Sequence, residues 1–509
     1  MKSLGLISLL AVGLFAAAGS CASSDSETPA RTAGSGGASG SAGATGGAGG
    51  STQAGAGGVA QGGGGSGGGT AGSGGAAGAA QGGASGTGGG AGAGGVAGTG
   101  GMSGAGGTGG AAGTGGAAGT GGASGTGGVA GTGGAAGAGG ATDASTPKDS
   151  APVFTDVKID GASLSGPSFQ PDAIVALMRK VAAWSFANFD GGNLDNDWSR
   201  STIMTGVMGT YRVTRDQQYL DKVKAWGDAH AWKPKDPVYN PDNMCCMQAY
   251  CERYIMEPTA ANMYMYQPTL TLIDAYIGDS GRTGHGSWGW EDAMYMSPPV
   301  LAIVGHIQNK SIYFDKLTTY WWDNIRVLYN ATYHLFHWAD EPAFITTPGG
   351  NPEFWGPGNA WVIGGLIRIM LYMPEDYAQR QKWVDHFREF SDAIRSKQQP
   401  DGFWRTSLYE PTEYPNPEES CTAFFTYAFA MGMIYGFLDP AVYMPVVTKS
   451  WPAVVSAVDA NGKAGRCQPW SNAPGGAGTG NNTPECQGAV QLAGEGMYNL
   501  VKGTKPQLW

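Results

Sequence analysis

Six segments of this chain are apolar on nearly every face, and each opens on a polar or aromatic cluster. They are 197–211 (DWSRSTIMTGVMGTY), 242–254 (DNMCCMQAYCERY), 290–305 (WEDAMYMSPPVLAIVG), 355–370 (WGPGNAWVIGGLIRIM), 418–436 (EESCTAFFTYAFAMGMIYG) and 485–499 (ECQGAVQLAGEGMYN). Their starts are 45, 48, 65, 63 and 67 residues apart. A helix apolar all round has to be enclosed by other protein. Between these segments lie helices of a second kind. From Pro171, well suited to a first helical position, apolar residues recur at Ile174, Leu177, Met178, Val181 and Trp184; the period returns at Trp383, Phe387, Phe390 and Ile394 among Lys, Arg, Glu and Gln. These are amphipathic helices with one wet face. No stretch alternates strongly enough to claim a sheet. One enclosed and one amphipathic helix per unit predicts helical hairpins stacked about an axis, and six of them close into a double ring with the enclosed helices inside. The alternative is an open solenoid, whose last repeat should be a polar cap; here the last repeat is as apolar as the others. In a closed ring the polar starts of the inner helices share one mouth, where free N–H groups and dipole ends favour hydroxyls and carboxylates. Asp197, Asp242, Asp292, Asn359, Glu418 and Glu485 are expected in that bowl.

The ring cannot use the whole chain. Of 90 glycines, 55 fall within 31–140, and no charged residue stands between Arg31 and Asp143. Val59, Val96, Met102 and Val129 are the only side chains there that are apolar and larger than alanine. Such a stretch cannot bury enough surface to offset its backbone entropy. Its Gly-Ala-Gly-Gly and Gly-Thr-Gly-Gly units lack the strict period of collagen, which predicts a flexible coil with a root-mean-square span of about 60 Å. A glycine-rich adhesive repeat is the competing reading. Ahead of it, Lys2 and the largely apolar run Leu4–Ala18 have the length of a signal-peptide core, too short to span a bilayer comfortably. The run ends in Ala18-Gly19-Ser20-Cys21, which resembles a bacterial lipoprotein box with Cys21 as the lipidated N-terminus; a plain secretory peptide leaving Cys21 as a spare thiol is the alternative. The expected organisation is a signal peptide over 1–21, a disordered Gly/Ala/Ser/Thr-rich linker over 22–150 and a folded domain over 151–509, exported and lipid-anchored or secreted.

The formal charge of −10 and pI near 5.1 leave no basic stripe for nucleic acid. Export permits disulfides, and Cys467 and Cys486, which flank a Gly/Asn/Pro-rich loop, are the expected pair. Cys245, Cys246, Cys251 and Cys421 lie among apolar residues and are expected as buried thiols. There is no C-x-x-C, no H-E-x-x-H, no Walker loop and no G-x-G-x-x-G between strand and helix, so no metal, nucleotide or other cofactor is expected.

The series DWSRSTIMTGVMGTYRVTRDQQYLDKVKAWGDAHAW, PDNMCCMQAY, WEDAMYMSPPVLA, LFHWADE, PEFWGPGNAW, DGFWRTSLYEP and EESCTAFFTYAFAMG resembles, in order and spacing, the unsaturated glucuronyl and rhamnogalacturonyl hydrolases, glycoside hydrolase families 105 and 88. The resemblance runs from about Pro171 to the C-terminus. It implies an all-α (α/α)6 barrel, a six-hairpin toroid, acting on acidic oligosaccharides left by polysaccharide lyases. It further implies that the terminal 4,5-unsaturated uronic acid, an enol ether, is protonated at C4 and hydrated at C5. The hemiketal then opens and expels the aglycone. One aspartic acid serves as proton donor and water activator, so its pKa should be raised. Asp292, in Trp290-Glu291-Asp292-Ala293, matches that residue, and Asp242, in Asn240-Pro241-Asp242-Asn243, matches a second aspartate that holds hydroxyls. For both, a plain helix cap is the alternative.

His337 matches a histidine near the substrate, and Trp355 and Trp361 match a pair that stacks on sugars; core packing is the alternative for all three. Asn359 and Trp290 complete the expected substrate contacts. The chain departs from the family's W-x-R-G-N-G-W by reading Trp355-Gly356-Pro357-Gly358-Asn359-Ala360-Trp361. Pro357 thus stands where the family has an arginine on the uronate side, and that task passes to Arg200, Arg405 or backbone donors, or the substrate differs. Two other readings stay open: a conventional (α/α)6 glycosidase using Asp242 and Asp292 as paired carboxylates, and a surface glycan-binding lipoprotein without catalysis.

Overall fold

Fifteen α-helices are seen among the described residues, 164–189, 194–236, 239–347 and 349–508 of a computed structural model. The segment 1–21 with Cys21, the linker 22–150 and the first residues of the expected domain lie outside them. In chain order the helices are α1 (Pro171–Asn188), α2 (Trp198–Thr214), α3 (Gln217–Ala229), α4 (Pro241–Met244), α5 (Cys246–Met256), α6 (Met263–Gly278), α7 (Gly284–Ser287) and α8 (Ala293–Met296). They continue as α9 (Pro298–Gln308), α10 (Ser311–Leu328), α11 (Gly356–Tyr372), α12 (Arg380–Arg395), α13 (Glu419–Ile434), α14 (Pro440–Ala457) and α15 (Pro484–Lys502). A two-residue antiparallel ribbon pairs β1 (Tyr329–Asn330) with β2 (Leu335–Phe336).

Helices α2, α5, α9, α11, α13 and α15 pack successively side by side, and α15 returns onto α2. The ring is therefore closed, and the solenoid alternative fails. Every residue of α11 and of α13 is buried, whereas α12 buries one stripe that includes Trp383, Phe387, Phe390 and Ile394 and leaves the opposite side wet. The closing seam depends on small residues. A side chain on Gly488 would strike the Thr202 carbonyl, and one on Gly206 would meet the Gly488 carbonyl, so α2 and α15 touch backbone to backbone.

Two inner segments that read as single helices are broken near their starts. Pro298 and Pro299 separate α8 from α9, since proline removes the N–H that would continue the ladder; the other break, at Cys245, separates α4 from α5. Farther down the ring, Arg212, Glu252, Arg368 and Glu495 form a buried quartet. Arg212 Nε and Nη2 donate to Glu495, its Nη1 donates to Glu252 Oε2 at 3.2 Å, and Arg368 Nη2 donates to Glu252 Oε1 at 2.6 Å. Two cations balance two anions, and Gln248 and Tyr372 donate or accept around them, which is the condition for charges to survive burial.

Candidate active site

All six inner segments send a first-turn residue, or the residue just before the turn, into one pocket. Trp198 comes from α2, Asp242 from α4, Asp292 from the residue preceding α8, Pro357 from α11, Ser420 from α13 and Glu485 from α15. The open space of the pocket, solvent at its mouth included, is about 680 Å³. Trp355 and Trp361 wall it from α11, Trp290 and Trp338 from the Asp292 side, and Gln468, Pro469, Trp470 and Ser471 from the loop before α15. No lysine or arginine is among the lining residues.

Asp292 opens α8 without capping it, since its side chain accepts no hydrogen bond from the helix. Instead Oδ2 accepts the indole N–H of Trp338 at 2.8 Å, and Oδ1 has no hydrogen-bond partner. Burial lifts its pKa to about 8. The Trp338 hydrogen bond pulls downward, and the charges of Asp242 and Glu485 push further up. At neutral pH this carboxyl carries a proton, and the unpartnered oxygen is the one free to give it. Asp242 is not a cap either, because Asn240 accepts the N–H of Asp242 and performs that task. Burial and the neighbouring Asp197 raise Asp242 to about 6. Glu485 is buried, accepts the indole N–H of Trp470 at 3.1 Å, and is lifted to about 7, mainly by desolvation.

Not every expected residue faces this pocket. Asp197 caps α2 through Arg200 N and pairs with the Arg200 guanidinium at 3.3 Å, which turns Arg200 along the rim. Glu418 is consumed by the N–H groups of Cys421 and Gln468 and by Ser420. Asn359 lies wholly behind the wall: Oδ1 accepts Phe336 N, and Nδ2 donates to Phe336 O, Trp355 O and Glu291 Oε2. It ties β2 and the Glu291 turn to α11 rather than presenting an amide to the pocket. His337 stacks on Phe354 at 4.7 Å, and its Nδ1 lies 2.9 Å from Glu353 O; Arg405 pairs with Asp401. Neither lines the pocket. Glu291, next to Asp292, is fully buried and held far above the ordinary carboxyl range by desolvation and by Asp292. It occupies the space where a side chain on residue 358 would stand, so Gly358 leaves it room.

Trp338, Gln468 and Trp470 enter the site without having been singled out from the sequence. Trp338 follows His337 directly, and in extended chain successive side chains point to opposite faces, so His337 is buried while Trp338 lines the pocket. Gln468 and Trp470 belong to the loop joined by the Cys467–Cys486 disulfide. Cys245, Cys246, Cys251 and Cys421 are buried free thiols. Among the described residues no cluster of three or more metal-ligating side chains occurs, and no helix is long and apolar enough to cross a membrane.

The chain as a whole is similar to known proteins. An unsaturated 3S-rhamnoglycuronyl hydrolase from Formosa agariphila is 28% identical over 312 residues, which cover 58% of this chain and 82% of that protein. A solved polysaccharide lyase superposes with a TM-score of 0.61 at 26% identity, over 65% of this chain and 98% of its own. A glycosyl hydrolase family 88 protein from Bacteroides vulgatus superposes equally, with a TM-score of 0.61 at 24% identity over 65% and 99% of the two chains, and so shares the fold. The sequence profile of Glycosyl Hydrolase Family 88 matches residues 177–498, and the chain belongs to that family.

Proposed function

We propose that this chain hydrolyses the bond between a terminal 4,5-unsaturated uronic acid and the rest of an oligosaccharide produced by a polysaccharide lyase. The observation that carries this reading is the state of Asp292: a carboxyl at the floor of a sugar-sized pocket, one oxygen tied to Trp338 and the other unpartnered, and protonated at neutral pH. An enol ether needs such a group. Asp292 gives its proton to C4, and the oxocarbenium centre at C5 takes up water whose proton returns to the Asp292 carboxylate. The resulting hemiketal opens with loss of the aglycone as an alcohol. Asp242 holds the ring hydroxyls, and Trp355 and Trp361 offer apolar faces to its C–H side. The substrate carboxylate meets helix N-termini and neutral donors rather than a cation.

The name of the Formosa relative supports this substrate class, and the lyase neighbour supplies the contrasting outcome. The test follows absorbance of the conjugated alkene in a panel of lyase products from pectin, ulvan, alginate and glycosaminoglycans. Loss of absorbance with release of the saturated partner supports the proposal. Sugar release with the alkene intact indicates a conventional glycosidase, new absorbance from a saturated polymer indicates a lyase, and binding without either indicates a glycan-binding protein.

The same proposal includes export through 1–21 and lipidation of Cys21, supported by the Ala18-Gly19-Ser20-Cys21 sequence. Labelling with a radioactive fatty acid, lost in Cys21→Ala, tests it.

A further inference from the structure

Four large hydrophobic side chains are exposed among the described residues: Tyr264, Ile312, Val442 and Trp470. Only Trp470 also lines the pocket, and it keeps 57% of its surface in water. An indole left open in this way is not core packing, yet it is held firmly. Its N–H donates to Glu485 Oε2, so the polar edge is satisfied. Its ring leans against Trp198 at 5.5 Å between centroids, and the Arg200 guanidinium lies 5.9 Å from it.

The strap that carries Trp470 is fastened on both sides. Cys467 is bonded to Cys486, one residue past Glu485. Gln468 N donates to Glu418 Oε1 at 2.9 Å, Gln468 Oε1 accepts the indole N–H of Trp355 at 2.8 Å, and Gln468 Nε2 reaches Ala473 O at 2.8 Å. Down the wall the aromatic rings continue: Trp198 is in edge contact with Trp361 at 5.8 Å, and Trp361 is 5% exposed. Exposure therefore rises from Trp361 through Trp198 to Trp470, which orders the three from floor to mouth.

We infer that Trp470, backed by Trp198, is a second sugar-binding position that stacks on the pyranose ring next to the one being cleaved. The inference rests on the proposed function for the ring at Asp292. With that ring on the floor, the aglycone must leave through the mouth, where Trp470 presents the exposed aromatic surface. Apolar C–H faces of a pyranose fit an indole whose N–H is already occupied. The strap makes the platform rigid, so little ordering is left for the substrate to drive.

The test measures binding by calorimetry in an Asp292→Asn background, which leaves the probes intact, with Trp470 present or replaced as Trp470→Ala or Trp470→Phe. The probes are the free unsaturated monosaccharide and unsaturated di- and tetrasaccharides from pectin and ulvan lyase digests, with alkene consumption by wild type followed in parallel. Trp470→Ala should weaken the oligosaccharides by about tenfold, the order of one good aromatic contact with its buried area. Its affinity for the monosaccharide should stay within about twofold, and Trp470→Phe should recover most of the loss. Equal weakening at every length, or none at any length, overturns the inference, as does an Asp292→Asn protein with Trp470 present that binds no oligosaccharide of the panel. Failure of the proposed function reads differently, since the alkene then persists in wild type while the length dependence of binding still reports on Trp470.

Discussion

Replacing Trp338 by phenylalanine should move the alkaline limb of activity upward, which is an unusual direction for a substitution that enlarges a pocket. Asp292 Oδ2 accepts the Trp338 indole N–H at 2.8 Å, and a hydrogen bond favours the charged form of the carboxyl that receives it. Hydrogen bonds to charged groups contribute about 1.5–3 kcal/mol, and one pH unit corresponds to about 1.4 kcal/mol, so losing the bond alone should lift the pKa by about 1–2 units. The vacated space works the other way, because water reaching Oδ2 relieves the desolvation that is the largest cause of the raised value. The net expectation is a rise of about one unit, from about 8 to about 9. The profile of kcat/KM against pH reports the free enzyme's acid, so activity should fall above pH 8 in wild type and about one unit higher in Trp338→Phe. Phe344, whose ring lies 4.5 Å from that of Trp338, is positioned to support the smaller ring. An unchanged or lowered limb would refute the argument that this hydrogen bond sets the acid's working range.

Asp292→Asn should bind substrate nearly as wild type while kcat falls by at least about 10²–10⁴, measured by alkene absorbance; Asp242→Asn should lose affinity and rate together. Serine at both Cys467 and Cys486, a pair 19 residues apart in sequence, should lower unfolding free energy in denaturant by about 3 kcal/mol. Arg368→Met removes one cation from the buried quartet and leaves Glu252 with Arg212; the denaturant midpoint should report a loss of about 3–5 kcal/mol. The raised carboxyls also set a pH dependence of stability. Asp292 at about 8, Glu485 at about 7 and Asp242 at about 6 bind protons more tightly folded than unfolded. Their contribution is fully present below about pH 4 and is lost as pH rises through 6 to 8. Asp292→Asn should therefore melt higher than wild type above pH 8, with the difference vanishing near pH 4.

The ring was legible because enclosure writes itself into sequence twice. Segments such as 355–370 and 418–436 carry apolar residues on every face, and the helices between them carry a single stripe; a solenoid shares that alternation, and the apolar last repeat is what favours closure. What the pattern could not show is how the inner helices start. The pocket needs Asp242 and Asp292 set off from the long helices behind them, and the structure achieves this with one-turn pieces that stop at Cys245 and at Pro298. The prolines were visible, but periodicity averages over such a break. The quartet of Arg212, Glu252, Arg368 and Glu495 was invisible for a related reason. The four are far apart in sequence, and only closing the ring makes them neighbours.

The site divides along the same line. Asp242 and Asp292 are expected from the helix starts, and Trp355 and Trp361 from the family resemblance; all four line the pocket, whereas Asn359 and Glu418, also at helix starts, are held by protein partners outside it. Of those contributed by chain between helices, Trp290 is expected from sequence, whereas Trp338, Gln468 and Trp470 are not. Arg200 and Arg405 look like free cations in sequence, yet each has a carboxylate within four residues, Asp197 and Asp401, and local pairs form before distant ones. Their capture leaves the pocket without a lining cation. That loss has a chemical use. A guanidinium beside Asp292 would stabilise its carboxylate and pull the pKa down, which would empty the acid of its proton at neutral pH. A wall of indoles and amides leaves burial as the dominant influence and keeps the proton on the oxygen that needs to give it.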